Sequence, residues 1–300
     1  MTLDKSEISV GTDTEFFLND ANGNLVSAIR YINGGKYNPV ALPSGGGVTY
    51  DNVCMEFATP VAFSKEEFIA AVGKTMSEAV GMLPEGVVPV QLASADFPPS
   101  ELEHEEARRF GCDPDFDAWR VAMNEVPEGA QDRTFRSAGG HLHVGYMANS
   151  DNDFLLDPWG KIMAVKALDI VLGIPMTLID THESAIARRQ LYGKAGCHRA
   201  TDYGVEYRSM SNFWVSSPVL VNLVYDMARE AMRLVRENKL DELIAAITEE
   251  EVVRIINTGD VSAAQAVWTN VLSGVLSPEV VAQFNAAAAR TFDIKKEWGL

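Results

Sequence analysis

Eight residues in five short segments could do chemistry together. Asp13 and Glu15 stand two apart, as do His141 and His143, and Glu206 and Arg208. Glu56 sits alone between Met55 and Phe57, and Arg199 closes a glycine-broken basic loop. In a β-strand, residues two apart share a face. Each pair therefore projects to one side, while apolar neighbours such as Val10, Phe16, Leu142, Val144, Val205 and Tyr207 project to the other. Taken singly, D-x-E and E-x-R are ordinarily solvated strand faces, and a lone glutamate carries almost no weight. A glycine-flanked H-x-H is less ordinary, and the same design in four strands raises the joint reading of one shared cleft.

Carboxylates gathered at close range repel one another and raise each other's pKa, a conflict that divalent cations remove. A carboxylate-rich set with little histidine suits Mg²⁺ or Mn²⁺, whereas Zn²⁺ favours more His or Cys. Arginines beside such a site match phosphate oxygens in a bidentate fork. Metals and arginines without a separate nucleophile point to phosphoryl transfer. The chain carries neither a Walker A loop nor a GxGxxG fingerprint, so a P-loop or Rossmann site is not indicated.

Composition agrees. The 300 residues are 47% hydrophobic, enough for a large core, and the net charge of −17 argues against nucleic-acid binding. Cys54, Cys112 and Cys197 form neither a disulfide framework nor a CxxC site. The apolar run from Ala164 to Ile179, broken by Lys166, Asp169, Gly173 and Pro175, reads as too polar to span a membrane. With a polar start and no apolar leader, the chain reads as cytosolic.

Strands are expected at Ile8–Leu18, Val48–Pro60, Val87–Leu92, the histidine segment and Val205–Asn212, with a turn at Asn22-Gly23-Asn24. Ser64-Lys65-Glu66-Glu67 opens a helix to about Val80. Asp157-Pro158 starts a long helix that Gly173 and Pro175 end or bend, and Thr181–Gln190 is helical. After Pro218 the expectation is helix throughout: Val219–Arg236, Asp241–Ile256, Ser262–Leu272 and Pro278–Arg290. If the strands form one antiparallel sheet, helices cover its apolar face and the other face lines an open cleft.

The segments also carry a resemblance. Gly11-Thr12-Asp13-Thr14-Glu15-Phe16-Phe17-Leu18 looks like the first active-site strand of glutamine synthetases, with Asp13 in place of a glutamate. Gly140-His141-Leu142-His143 and Glu206-Tyr207-Arg208 resemble their H-x-H and late E-x-R strands, and Asn52–Pro60 is closer to glutamate–cysteine ligases. The whole set, over roughly residues 8 to 214, is similar to the phage-associated COOH-NH2 ligases of type 2. The resemblance implies an α+β fold: a curved antiparallel sheet in a catalytic domain over 1–216, followed by a helical region over 217–300. It implies an ATP-dependent ligase that forms an amide through an acyl phosphate from carboxylate and amine substrates. In this reading Asp13, Glu15, Glu56, His141 and Glu206 hold Mg²⁺ or Mn²⁺. His143 approaches the phosphates, Arg208 stabilises the transferring phosphoryl group, and Arg199 is a further candidate for phosphate or carboxylate. Asp13 is one methylene shorter than the family's glutamate, which shifts its metal or admits a bridging water. Phosphoryl transfer to a guanidino group, or nucleotide and metal binding without turnover, are the alternatives on the same fold.

Overall fold

The computed structural model describes residues 7–35, 37–109, 115–125, 133–148, 150–189 and 191–300. Cys112 and parts of the stretch between Phe97 and Arg136 lie outside them. The centre is an antiparallel sheet built outward from the strand Ser9–Asn19. On one side lie Cys54–Ala58, Gly47–Asp51 and Val40–Ala41; on the other lie Gly140–Gly145, Gly204–Tyr207, Cys197–Ala200, Phe116–Asp117 and Ala122–Met123. The short strands Leu25–Val26 and Val88–Val90 also pair with Ser9–Asn19, the first through the Asn22–Asn24 turn.

Apolar alternation sets which face is covered. Val10, Phe16, Met55, Phe57, Leu142, Val144, Val205 and Tyr207 are buried under helices. Lys65–Gly81 begins as expected, with the Ser64 hydroxyl accepting from the Glu67 amide. Pro158–Leu168 packs on the Gly204–Tyr207 strand and on Pro218–Arg236, which in turn meets Lys65–Gly81. One apolar cluster runs from these strands through Leu223, Ile255 and Phe284, so the C-terminal helices share the sheet's core. The fold is α+β, with helices gathered on one face of the sheet and a helical C-terminal region.

Five expectations are corrected. The strand expected over Val205–Asn212 ends at Tyr207 and is followed by a 3₁₀ turn over Asn212–Ser216. The segment from Val48 to Pro60 is a hairpin, not one strand: Gly47–Asp51 folds back on Cys54–Ala58, with Asp51 opposite Cys54. Asn52 supplies the turn at φ +56°, a left-handed conformation that Asn tolerates better than most residues. Cys197–Ala200, read as loop, is a strand, because its edge pairs with the Gly204–Tyr207 strand. Gly173 and Pro175 do not end their helix. Pro175 lacks an N–H, and the helix passes it as a π-turn over Asp169–Gly173 before resuming at Ile174–Ile179. Thr248 divides the helix expected over Asp241–Ile256 into Leu240–Ile247 and Glu249–Thr258.

The stretch Pro158–Ile179, with a mean hydropathy of 2.0, is long and apolar enough to cross a membrane by composition alone. In this fold it is a core helix, 78% of that window being buried inside the protein. Its three charges are answered there: Lys161 donates to the Thr201 carbonyl at 2.7 Å, Lys166 pairs with Glu249 at 2.8 Å, and Asp169 accepts four hydrogen bonds.

The hairpin turn generates a prediction. Asn52 Oδ1 accepts from the Val53 amide and from Arg136 Nε, both at 2.9 Å, and Asn52 Nδ2 donates to the Arg109 carbonyl at 2.8 Å. Asn52→Ala loses these bonds and strains the positive φ, at a cost of about 1–2 kcal/mol in denaturant unfolding. Asn52→Gly, which relieves the strain, loses less.

Candidate functional site

Register brings the expected residues together. Asp13 lies opposite His141 on one side and Ala58 on the other; Glu15 lies opposite Glu56. Gly11 lies opposite His143, which pairs in turn with Glu206, and Glu206 pairs with Arg199. Paired residues in an antiparallel sheet share a face. Asp13, Glu15, Glu56, His141, His143, Arg199, Glu206 and Arg208 therefore all project from the face opposite the helices.

The floor of this cleft is graded along its strands. At one end the inward positions are small: Ser9, Gly11, Ala58 and Gly145 border a cavity of about 470 Å³, with Thr59, Val61 and Tyr203 at its walls. The charged residues occupy the middle. Beyond Glu15 and Glu56 come Phe17 and Cys54, which join Val53, Phe97, Leu102, Ala107 and Ala138 in a second, smaller core. That core closes the far end.

Two trios of potential ligands stand in the middle, each with its ligand atoms within 4.8 Å of one another: Asp13, His143 and Glu206, and Glu15, Asp51 and Glu56. Asp51 was not foreseen. On a single strand through Val48–Pro60 it would point to the apolar face, and only the turn at Asn52 brings it beside Glu56. A D-N pair between two β-prone runs was the signal available for that turn.

Both histidines meet Asp13 Oδ1, His141 through Nδ1 at 3.1 Å and His143 through Nε2 at 3.0 Å. His141 Nδ1 also stands 3.7 Å from Glu206 Oε1, and His143 Nδ1 contacts the Tyr203 hydroxyl. Arg208 Nη1 donates to Glu206 Oε1, Arg199 Nη1 stands 3.5 Å from the same oxygen, and Arg208 Nε is 3.8 Å from Asp115.

The glycines of the histidine segment make room for two partners that sequence alone did not name. A Cβ on Gly140 would meet the Ser211 carbonyl at 2.5 Å and Trp214 Nε1 at 2.6 Å, where the indole donates to the Gly140 carbonyl. A Cβ on Gly139 would meet His141 Nε2 at 2.5 Å and Arg188 Nη2 at 2.7 Å. Arg188 is buried and donates to the backbone carbonyls of Arg208 and Ser209. Its Nε has no hydrogen-bond partner among the described residues. It therefore belongs to the site's wall, although it lies on the expected Thr181–Gln190 helix, whose pattern gives no sign of the contact.

The charges are unevenly answered. Burial pushes the Asp13 carboxyl up, but His141 and His143 outweigh it and hold the pKa well below the ordinary range. Burial likewise opposes Glu206, and Arg208 brings it below its ordinary value. Burial lowers His143, yet Asp13 leaves it raised. Glu15 and Glu56 are both raised: burial is the main cause in each, with Asp51 adding to Glu15, and Asp13, Asp51 and Glu15 adding to Glu56. Among the described residues no cationic side chain is bonded to this trio, so its carboxylates crowd one another with little compensation.

Geometry and topology define the class: an α+β protein with one face of an antiparallel sheet devoted to carboxylates, histidines and arginines. Residues 125–297, more than half of the chain, match the model of the family described as Phage phiEco32-like COOH.NH2 ligase-type 2, and the chain belongs to that family. The match takes in His141, His143, Arg199, Glu206 and Arg208. It also extends through the C-terminal helices, which the motif resemblance had left out, and omits the Asp13–Glu15 and Glu56 strands. No curated protein is significantly similar to the chain. Among solved structures, a bifunctional glutathione synthetase from Pasteurella multocida is similar at 13% identity and a TM-score of 0.47. The similarity covers 98% of this chain and 48% of that one, so this chain spans about half its length.

The raised carboxyls give a pH signature. A group whose folded pKa is raised adds stability at low pH that is lost as pH rises through the folded value. Glu56 and Glu15 should therefore make the metal-free protein melt lower as pH rises from 5 to 8, and the raised His143 acts in the same direction above its ordinary 6.5. Asp13 and Glu206, being lowered, contribute oppositely and only in acid. In thermal melts without divalent ions, Glu56→Gln should flatten the decline and melt above the unmodified protein at pH 8.

Proposed function

We propose that the chain is an ATP-dependent carboxylate–amine ligase whose reaction passes through an acyl phosphate. The observation that carries this reading is the pairing, in one cleft, of two ligand trios with the guanidinium groups of Arg199 and Arg208. The donor chemistry fits divalent cations. The all-oxygen trio Glu15, Asp51 and Glu56 suits Mg²⁺, and the trio containing His143 admits Mg²⁺ or Mn²⁺. When bound, such ions neutralise charge on the phosphate oxygens.

The protein's own residues supply the rest. Arg208 and Arg199 converge on Glu206, and a phosphoryl group beside that carboxylate would meet both guanidiniums, charge stabilisation where charge grows. The substrate carboxylate oxygen attacks the γ-phosphorus as its bond to ADP breaks. The amine nitrogen then attacks the acyl carbon, phosphate leaves, and the nitrogen gives up a proton as the amide forms. The cavity bordered by Gly11, Ala58, Gly145 and Tyr203 is lined largely by small side chains, which leaves room for a nucleoside, and Asp13, Glu56 and His143 form its charged side. The second core behind Phe17 and Cys54 keeps water from that end.

Both histidines reach Asp13, so either could complete a metal shell. Ligand-atom spacing groups His143 with Asp13 and Glu206, but His141 also reaches both, at 3.1 and 3.7 Å. Tyr203 holds the other nitrogen of His143, and on that ground we assign His141 to the metal and turn His143 to the phosphates. With Mg²⁺, ATP and a panel of acid and amine pairs, ADP, phosphate and amide should appear in equal amounts. Glu15→Gln and Glu206→Gln should lower the rate at least about a hundredfold. A stable phosphoamidate in place of amide would reveal guanidino phosphorylation instead. His141→Ala should weaken Mn²⁺ binding in calorimetry, whereas His143→Ala should spare it and depress turnover. Identical behaviour of the two variants overturns that assignment.

A further inference from the structure

Behind the sheet, outside the cleft, a carboxylate is built into the core with no cation bonded to it among the described residues. Asp169 is fully buried in the π-turn of the Pro158–Ile179 helix. Its Oδ2 accepts from Trp119 Nε1 at 2.6 Å and the Gly196 amide at 2.5 Å. Its Oδ1 accepts from the Tyr207 hydroxyl at 2.7 Å and from Ser209 Oγ at 3.2 Å. A buried carboxylate is costly unless its lone pairs are answered, and here the donors are all neutral: Trp119, Gly196 and Tyr207, with the single Ser209 proton shared between Asp169 and the Lys194 carbonyl at 2.8 Å.

The identity of those donors is informative. Tyr207 lies between Glu206 and Arg208 and points to the opposite face from both; Ser209 follows Arg208. Gly196, at φ +79°, turns its amide inward at the start of the strand that carries Arg199. Trp119 belongs to the segment whose Asp115 faces Arg208. A Cβ on Gly173 would meet the Tyr207 hydroxyl at 2.9 Å, so the glycine in the π-turn leaves the path to Asp169 open. A Cβ on Gly196 would meet Asp117 Oδ1 at 2.6 Å and the Ala118 amide at 2.9 Å, which locks the loop to the Trp119 segment. Each backbone segment that carries Arg199, Glu206, Arg208 or Asp115 is thus tied to one carboxylate from behind.

We propose that Asp169 is a positioning residue: it fixes, through the backbone, the arginine pair that faces the terminal phosphates. This rests on the ligase reading of the cleft. Its signature is selective, because the arginines serve the phosphates furthest from the nucleoside. Loss of Asp169 should weaken binding of a triphosphate while leaving a monophosphate largely unaffected, whereas general loosening of the fold would weaken both.

The test is calorimetry with Mn²⁺ and either a non-hydrolysable ATP analogue or AMP, on variants that still melt cooperatively. Asp169→Leu keeps the branched outline while removing both acceptor oxygens, and should lower the triphosphate-to-monophosphate affinity ratio about tenfold, the scale typical of lost support behind a site. Asp169→Asn should largely rescue it. The Tyr207 and Ser209 hydroxyls can rotate to accept from the amide, leaving the oxygen for Trp119 and Gly196. Should the Leu variant not fold, the double change Tyr207→Phe with Ser209→Ala carries the test, with an expected loss of about threefold. An unchanged ratio in a folded Leu or double variant overturns the positioning role alone. Failure of the unmodified protein to bind either nucleotide with Mn²⁺ overturns the ligase reading beneath it.

Discussion

Electrostatic conflict at the middle of one sheet face governs this molecule. Asp13, Glu15, Asp51, Glu56 and Glu206 converge there, and each is taken partly out of water. The protein answers the conflict only on one side. His141 and His143 close on Asp13, and Arg199 and Arg208 close on Glu206, so that end has its countercharges in place. The Glu15, Asp51 and Glu56 end has none bonded to it among the described contacts, and burial, with the neighbouring carboxylates adding to it, pushes the Glu15 and Glu56 carboxyls up. Like charges held together by a rigid register are stable only because the opposite face of the same strands buries a large apolar core. The helices behind the sheet therefore sustain the arrangement in front of it.

Strand alternation made most of the site legible. Period-two patterning placed Asp13, Glu15, Glu56, His141, His143, Glu206 and Arg208 opposite their apolar neighbours, and strand pairing in the structure puts them on one face. What escaped was everything that depends on a change of chain direction or on an approach from elsewhere. Asp51 reaches the site because of a single left-handed residue at Asn52. The Cys197–Ala200 strand, seen only as a glycine-broken loop, owes its form to its neighbour. Arg188 arrives from a helix and fits against Gly139, a contact that no local pattern announces. Local sequence records periodicity well; it records long-range contact only where small residues hint at a close approach.

The core helix shows the same limit from the other side. Its composition passes for a membrane span despite the polar breaks that argued against one, and where Gly173 and Pro175 read as an end or a bend, the helix runs past both by widening one turn. That widening accompanies a buried acid at Asp169, whose four donors come from segments distant in sequence. Helix propensity could not foresee it, because the compensation is entirely tertiary.

The position of Ser9–Asn19 within the sheet has a consequence for how the chain folds. It is the earliest of these strands in sequence, yet it sits in the interior, between Cys54–Ala58 and Gly140–Gly145. During synthesis its first neighbour emerges soon after it, but the other edge stays bare until the histidine strand has left the ribosome. Such distant pairings are slow to form, and an unpaired apolar strand invites association with other chains in the interval. The acidic residues on its outer face, Asp13 and Glu15, lack their histidine partners throughout that interval. Their mutual repulsion between nascent chains would then discourage the wrong edge-to-edge pairing. The charges that burden the finished site would thus protect the unfinished one.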